Sequence, residues 1–214
     1  MKNIKNYKHV IWDWNGTLFD DVELCAKIMN QLLEEANLPK ISVTGYRDIF
    51  TFPVIDYYKA LGHDVGEENW EKISHQFISE YEKNKYDFAI YSDAEDVLKT
   101  IESFGITQSV LSAYKQDTLD ELIGHFNLRK YFIRLVGLDN IYAEGKLDNG
   151  LKWIKELGFK DGEVLLVGDT LHDCEVAKAI GADAVLLSLG HQSRDKLNGC
   201  KIPIIDSLSE LIKE

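Results

Sequence analysis

The chain has 214 residues, with 24 basic and 36 acidic side chains and a formal net charge of -12. That length suits one α/β domain, or a core carrying a smaller insertion. The acidic balance argues against a broad phosphate-backbone footprint, so no nucleic-acid partner is expected; no apolar run approaches the ~20 residues that span a bilayer, so no membrane partner is expected either.

Residues 1–8 are polar and lead straight into a strand, with no signal-peptide pattern. The run Val10-Ile11-Trp12 reads as a buried strand that ends on Asp13 and is broken by Asn15-Gly16. Val22, Ala26, Met29, Leu32, Leu33 and Ala36 then follow at helical spacing. Asp20, Asp21 and Glu23 stand at the positive end of that helix dipole, and Pro39 stops it. A short element over 44–50 precedes a helix over 54–61, opened by Pro53 and closed by Gly62. A long amphipathic stretch over 67–85 carries Trp70, Ile73, Phe77, Ile78 and Tyr81 on one face. Residues 20–86 therefore read as helices in succession with no strand between them.

Beyond residue 86 the period alternates. Ser92 with Glu95 forms a capping-box pattern for a helix that ends at Gly105. Strands are predicted at 106–111, 133–137, 164–167, 184–187 and 202–205. Helices are predicted at 117–126, 148–157 and 174–180, and Ser207 with Glu210 caps the last one. Alternating strands and helices imply a parallel sheet covered on both faces. The expected architecture is an α/β fold, a Rossmann-like parallel-sheet core (1–19 and 87–214) with an inserted helical cap (20–86). The three cysteines, Cys25, Cys174 and Cys200, are widely spaced and match no zinc or redox motif, which suits reduced, buried thiols in a cytoplasmic protein.

In a parallel sheet, Asp13, Ser112-Ala113, Lys146 and the Gly168-Asp169-Thr170-Leu171-His172-Asp173 run meet at one edge. Asp13, Asp169 and Asp173 would repel one another unless a cation sits among them. All-oxygen ligands without sulfur suggest magnesium. Ser112, the Ala113 amide and the Lys146 ammonium suit the non-bridging oxygens of a phosphate. A carboxylate between a metal and a lysine is what phosphoryl transfer to an aspartate requires.

Asp13-Trp14-Asn15-Gly16-Thr17-Leu18 resembles the first motif of the haloacid dehalogenase superfamily, DxDGTL. Ser112 resembles its second motif, Lys146 its third, and Gly168 to Asp173 its fourth, GDTxxD. The resemblance, to the phosphoglycolate phosphatase-like branch with a helical cap, implies a magnesium-dependent phosphatase of a small phosphorylated metabolite. It makes Asp13 the nucleophile and a metal ligand, with the backbone carbonyl of Asn15, Asp169 and Asp173 as further ligands. Ser112 and Lys146 would be catalytic and bind phosphate, helped by Gly16 and Ala113.

The pattern is broken at one place. Family phosphatases carry a second aspartate two residues after the nucleophile, as general acid and base, where this chain has Asn15. Asparagine keeps a backbone carbonyl and can donate a hydrogen bond, but cannot shuttle a proton. Such catalysis typically contributes ~10²–10⁴-fold, so poor leaving groups should react slowly. The alternative expectation is a weak or silent relative that binds a phosphorylated ligand or a protein partner. A phosphonoacetaldehyde hydrolase, suggested by the DWxGT-like start, needs an early cap lysine; between Lys40 and Lys59 there is only Arg47. Intact Asp169 and Asp173 argue against a dehalogenase. In the cap, Arg47 is the candidate to clamp a second anionic group, with His63, Tyr57, Tyr58 and Lys59 nearby. His172, His191 and Arg194 read by default as loop residues, and Trp12 and Trp14 as packing.

Overall fold

The computed structural model describes residues 2–143 and 146–213. Among the described residues, six parallel strands are arranged in the order β3-β2-β1-β4-β5-β6. They are β1 (His9–Trp12), β2 (Thr107–Lys115), β3 (Arg134–Leu138), β4 (Val164–Gly168), β5 (Asp183–Leu187) and β6 (Ile204–Ile205). The β1 side chains are fully buried, as a central strand of a parallel sheet demands. Val10 and Trp12 face one apolar cluster and Ile11 the other, so successive residues serve the two faces. The α/β parallel-sheet architecture is the one anticipated.

Between β1 and the next strand lie α1 (Val22–Glu35), α2 (Val43–Ile49), α3 (Val54–Ala60), α4 (Glu67–Asn84) and α5 (Ala94–Ser103). The first four fill the segment over 20–86 without a strand, and α1 packs against α4. Tyr46, Tyr57, Tyr58, Ile73 and Tyr81 belong to the same apolar cluster as Val10 and Trp12, so this helical segment shares its core with one face of the sheet. The remaining helices are α6 (Gln116–His125), α7 (Lys146–Leu157), α8 (Leu171–Ile180) and a single turn, α9 (Arg194–Leu197).

Three local expectations are corrected. The N-cap position of α5 is Asp93, not Ser92, without a side-chain capping bond; Asp93 accepts from the Ser209 N–H, and Glu95 accepts from the Tyr131 hydroxyl and Lys130. Helix α8 begins at Leu171 rather than 174, since Thr170 and Asp173 form a reciprocal capping box. The thiols are not all free: the first turn of α8 lies against the 198–200 turn, and Cys174 is joined to Cys200. Cys25 stays a buried free thiol. No helix among the described residues is long and apolar enough to cross a membrane.

Candidate active site

The strand order reverses at β1, whose neighbours are β2 and β4, and the crevice outside such a switch point is where open α/β sheets bind ligands. Asp13 follows β1 directly, and its N–H donates to the Val167 carbonyl at 2.8 Å, which fixes it at the carboxyl edge. Asp169 follows β4 and is wholly buried. Its Oδ1 accepts from the Thr17 hydroxyl at 3.1 Å and its Oδ2 from the His191 N–H at 2.6 Å. Asp173 accepts from the Asp169 and Thr170 N–H groups at 3.2 and 3.0 Å and from the Thr170 hydroxyl at 2.6 Å. The capping box that starts α8 thus also orients Asp173.

Lys146, in the first turn of α7, bridges these acids. Its Nζ lies 2.6 Å from Asp13 Oδ1 and 2.5 Å from Asp173 Oδ1. Burial opposes the charge on Lys146, but the two carboxylates outweigh it and hold the ammonium protonated. Asp173 is held ionised against burial by the same ammonium. Burial pushes Asp169 up to about 6, with Asp173 adding to the effect, and pushes Asp13 up as well. Asp13, Asp169 and Asp173 offer oxygens within 4.8 Å of one another, in a buried place. Three carboxylates with one ammonium leave an excess of negative charge, and an all-oxygen set suits a hard divalent cation.

Close approach dictates the glycines. Gly16 has a φ of +71°, and a Cβ there would overlap the Asp169 carboxylate. A Cβ on Gly190 would strike the same carboxylate, and one on Gly168 the Asp173 carboxylate.

Asp13, Asn15, Ser112, Ala113, Lys146 and Asp169 border one cavity of about 380 Å³, which also touches α2, α3 and α4. Asp173 stands behind Lys146. Ser112 is buried and accepts from the Tyr114 N–H at 3.1 Å. Gly16 does not act as a phosphate amide here: its N–H is committed to the Phe19 carbonyl and to Asp21 Oδ1. Arg47 does not border the cavity. Its guanidinium donates to the Leu189 carbonyl at 2.5 Å, and its own carbonyl accepts from the Ser193 N–H, so it fastens α2 to the loop after β5. His63 lies in a separate recess, and Lys59 pairs with Asp56 at the surface.

Sequence reasoning passed over the residues that hold Asn15. Its amide nitrogen donates to Asp21 Oδ2 and to the Tyr81 hydroxyl, each at 2.8 Å. The side-chain amide of Asn15 is therefore turned to Asp21 and Tyr81, and its nitrogen donates there. Asp21 also accepts from Tyr81 at 2.6 Å and faces His191 Nε2 at 3.2 Å. His191 is buried rather than a surface loop residue, and its Nδ1 meets the Tyr46 hydroxyl at 2.9 Å. Burial disfavours a charged His191, but Asp21 outweighs it and lifts the ring to about 9. The one available signal was Asp20-Asp21, which was read as helix-dipole charge.

The chain is 22% identical to phosphoglycolate phosphatase of Vibrio parahaemolyticus, over 98% of this chain and 96% of that protein. It is 24% identical to phosphoglycolate phosphatase 1 of Pseudomonas aeruginosa, over 95% and 78%. Its fold superposes on a predicted phosphatase from Clostridium acetobutylicum with a TM-score of 0.82 at 20% identity, covering 96% of both chains. The family model described as haloacid dehalogenase-like hydrolase matches residues 10–187, which include Asp13, Lys146, Asp169 and Asp173, and the chain belongs to that family.

Proposed function

We propose that this chain is a cytoplasmic, magnesium-dependent phosphatase of a small phosphorylated metabolite, working through an aspartyl phosphate on Asp13. The observation that carries the reading is the Asp13 carboxylate, 2.6 Å from Lys146 Nζ and grouped with Asp169 and Asp173. In this reading residues 20–86 form a cap over a core made of 1–19 and 87–214. Asp13, Asp169, Asp173 and the Asn15 carbonyl would hold the magnesium. Bound there, the ion would neutralise charge on the transferring phosphoryl oxygens.

The chain's own groups account for the rest. Lys146 neutralises one phosphate oxygen, and Ser112 with the Ala113 amide receives the others. Asp13 attacks phosphorus, and water later opens the acyl phosphate. The relatives named phosphoglycolate phosphatase support a small phosphate ester as the substrate.

The test is phosphate release by the full chain from acetyl, phenyl and alkyl phosphates, with and without magnesium, beside Asp13→Asn. Magnesium-dependent release that Asp13→Asn abolishes is expected. Release that survives Asp13→Asn overturns the reading. The spent donors of Asn15 favour a second reading, a nearly silent relative that binds a phosphorylated ligand. It takes over if no ester turns over.

A further inference from the structure

The wall that the helices over 22–84 contribute to the cavity has a distinct chemistry. It carries the rings of Tyr46, Phe50, Phe52, Tyr57, Trp70 and Phe77, together with Val54 and Ile78. Among the described residues it holds no lysine or arginine. Its charged members are Asp21, engaged with His191, and Glu82, which accepts from the Tyr114 hydroxyl at 2.7 Å and pairs with Lys85 at 2.6 Å. The core supplies Lys146, held between Asp13 and Asp173, His191 against Asp21, and half-exposed Lys115, whose 3.5 Å contact with exposed Asp117 is a loose surface pair. The His172 ring lies stacked on Phe52. A carboxylate or second phosphate on the substrate would meet a wall without lysine or arginine, lined mostly by rings, where its lost hydration goes uncompensated. Two neutral hydroxyls on this wall, Tyr57 Oη and Ser74 Oγ, are buried without a hydrogen-bond partner. Stacked and edge-on rings select a flat apolar group.

The other end of the cavity gives an independent reason. Asn15 is a neutral amide turned to Asp21 and Tyr81, so position 15 offers no transferable proton to a departing oxygen. The ester best suited to such a site leaves as a stable anion. A phenol, with a pKa of ~10 as in tyrosine, is far better at this than an alcohol close to water's ~16.

Resting on the phosphatase reading above, we infer that the substrate is an aryl phosphate monoester with no second anionic group, its ring lodged among Phe50, Phe52, Tyr57, Trp70 and Phe77. An Asp13 oxygen bonds to phosphorus as the phosphorus–aryloxide bond breaks. The electron pair leaves with the aryloxide, which takes a proton from solvent. Water then cleaves the acyl phosphate, releasing inorganic phosphate and one proton and restoring the carboxylate. The cavity, about 380 Å³, holds a phosphate and one or two rings.

The experiment has a binding arm and a turnover arm, both on the full chain with magnesium. Calorimetry compares phenylphosphonate with phosphonoacetate, which have no leaving group and differ in ring against carboxylate. Phenylphosphonate is expected to bind at least ~10-fold more tightly, the scale of hydrophobic-pocket discrimination. Half-buried Phe77→Arg is expected to narrow or reverse that ratio, and Phe77→Leu to keep it. Phosphonoacetate binding as tightly as phenylphosphonate overturns the inference, as does a ratio indifferent to Phe77→Arg. In turnover, phenyl phosphate is expected to exceed phosphoglycolate in kcat/KM. A chain that hydrolyses phosphoglycolate better refutes the aryl assignment and leaves the phosphatase reading standing. A chain that hydrolyses nothing yet prefers phenylphosphonate refutes the phosphatase reading and supports the ligand class.

Discussion

The amide nitrogen of Asn15 donates to Asp21 Oδ2 and to the Tyr81 hydroxyl, both at 2.8 Å, and Tyr81 itself donates to Asp21 at 2.6 Å. Asn15, Asp21 and Tyr81 therefore form a closed ring of hydrogen bonds in a buried place. The identity of residue 15 is tied to Asp21 as well as to the chemistry at Asp13.

Restoring the family aspartate should accordingly fail on its own. Asn15→Asp sets a second carboxylate against buried Asp21 and loses two donors. A destabilisation of about 3 kcal/mol is expected, the scale of an uncompensated buried charge. Pairing it with Asp21→Asn returns one donor and removes one charge. Urea unfolding of the single and double variants checks this, and a double variant no more stable than the single one contradicts it.

Gly16→Ala should act on Asp169. A methyl group at a φ of +71° is strained and collides with the Asp169 carboxylate. Displacing that carboxylate by about an ångström should lower kcat/KM by ~10²-fold. It should also weaken magnesium binding, read by titration.

Magnesium should stabilise the fold through the three carboxylates. At a concentration of 100 times its Kd the gain is about 2.7 kcal/mol. It should vanish in Asp169→Asn. Thermal unfolding with the ion and with chelator measures it, and an equal gain in the variant would place the ion elsewhere.

His9 should make the fold acid-sensitive well away from the site. It is buried between the Thr107 and Ser109 hydroxyls at 2.7 Å each, and burial pushes its pKa down to about 4. The unfolded chain binds this proton near 6.5 and the folded chain only near 4. Stability is therefore full above 6.5 and falls as pH drops through that window, by roughly 3 kcal/mol from this group. His9→Gln should flatten the slope between those limits in urea midpoints measured across pH.

Lys196→Ala should loosen α2 from the core. The Lys196 ammonium donates to the carbonyls of Asp48, Ile49 and Phe50, at 3.4, 3.2 and 2.7 Å, at the negative end of that helix. A loss of about 1 kcal/mol is expected, with faster amide exchange over 43–50 and over 188–193.

Much was legible along the chain because the signals are local. Val10-Ile11-Trp12 reads as a buried strand, and alternation after residue 86 implies a parallel sheet. A parallel sheet gathers Asp13, Ser112, Lys146 and Asp169 at one edge by topology alone. The charge repulsion of Asp13, Asp169 and Asp173 followed from their types. Tertiary structure decided everything that depended on partners distant in sequence. Arg47, a plausible anion clamp, reaches the Leu189 carbonyl 142 positions away and lies outside the cavity lining. His191, a default surface residue, is buried against Asp21 because the loop after β5 folds under α2. Gly16 reads as a phosphate amide, but its N–H donates to the Phe19 carbonyl and to Asp21 Oδ1. The acceptors of the Asn15 amide, Asp21 and the Tyr81 hydroxyl, meet it only after α4 packs against α1. A hydrogen-bonding group is either available or committed, and which it is depends on its neighbours in space.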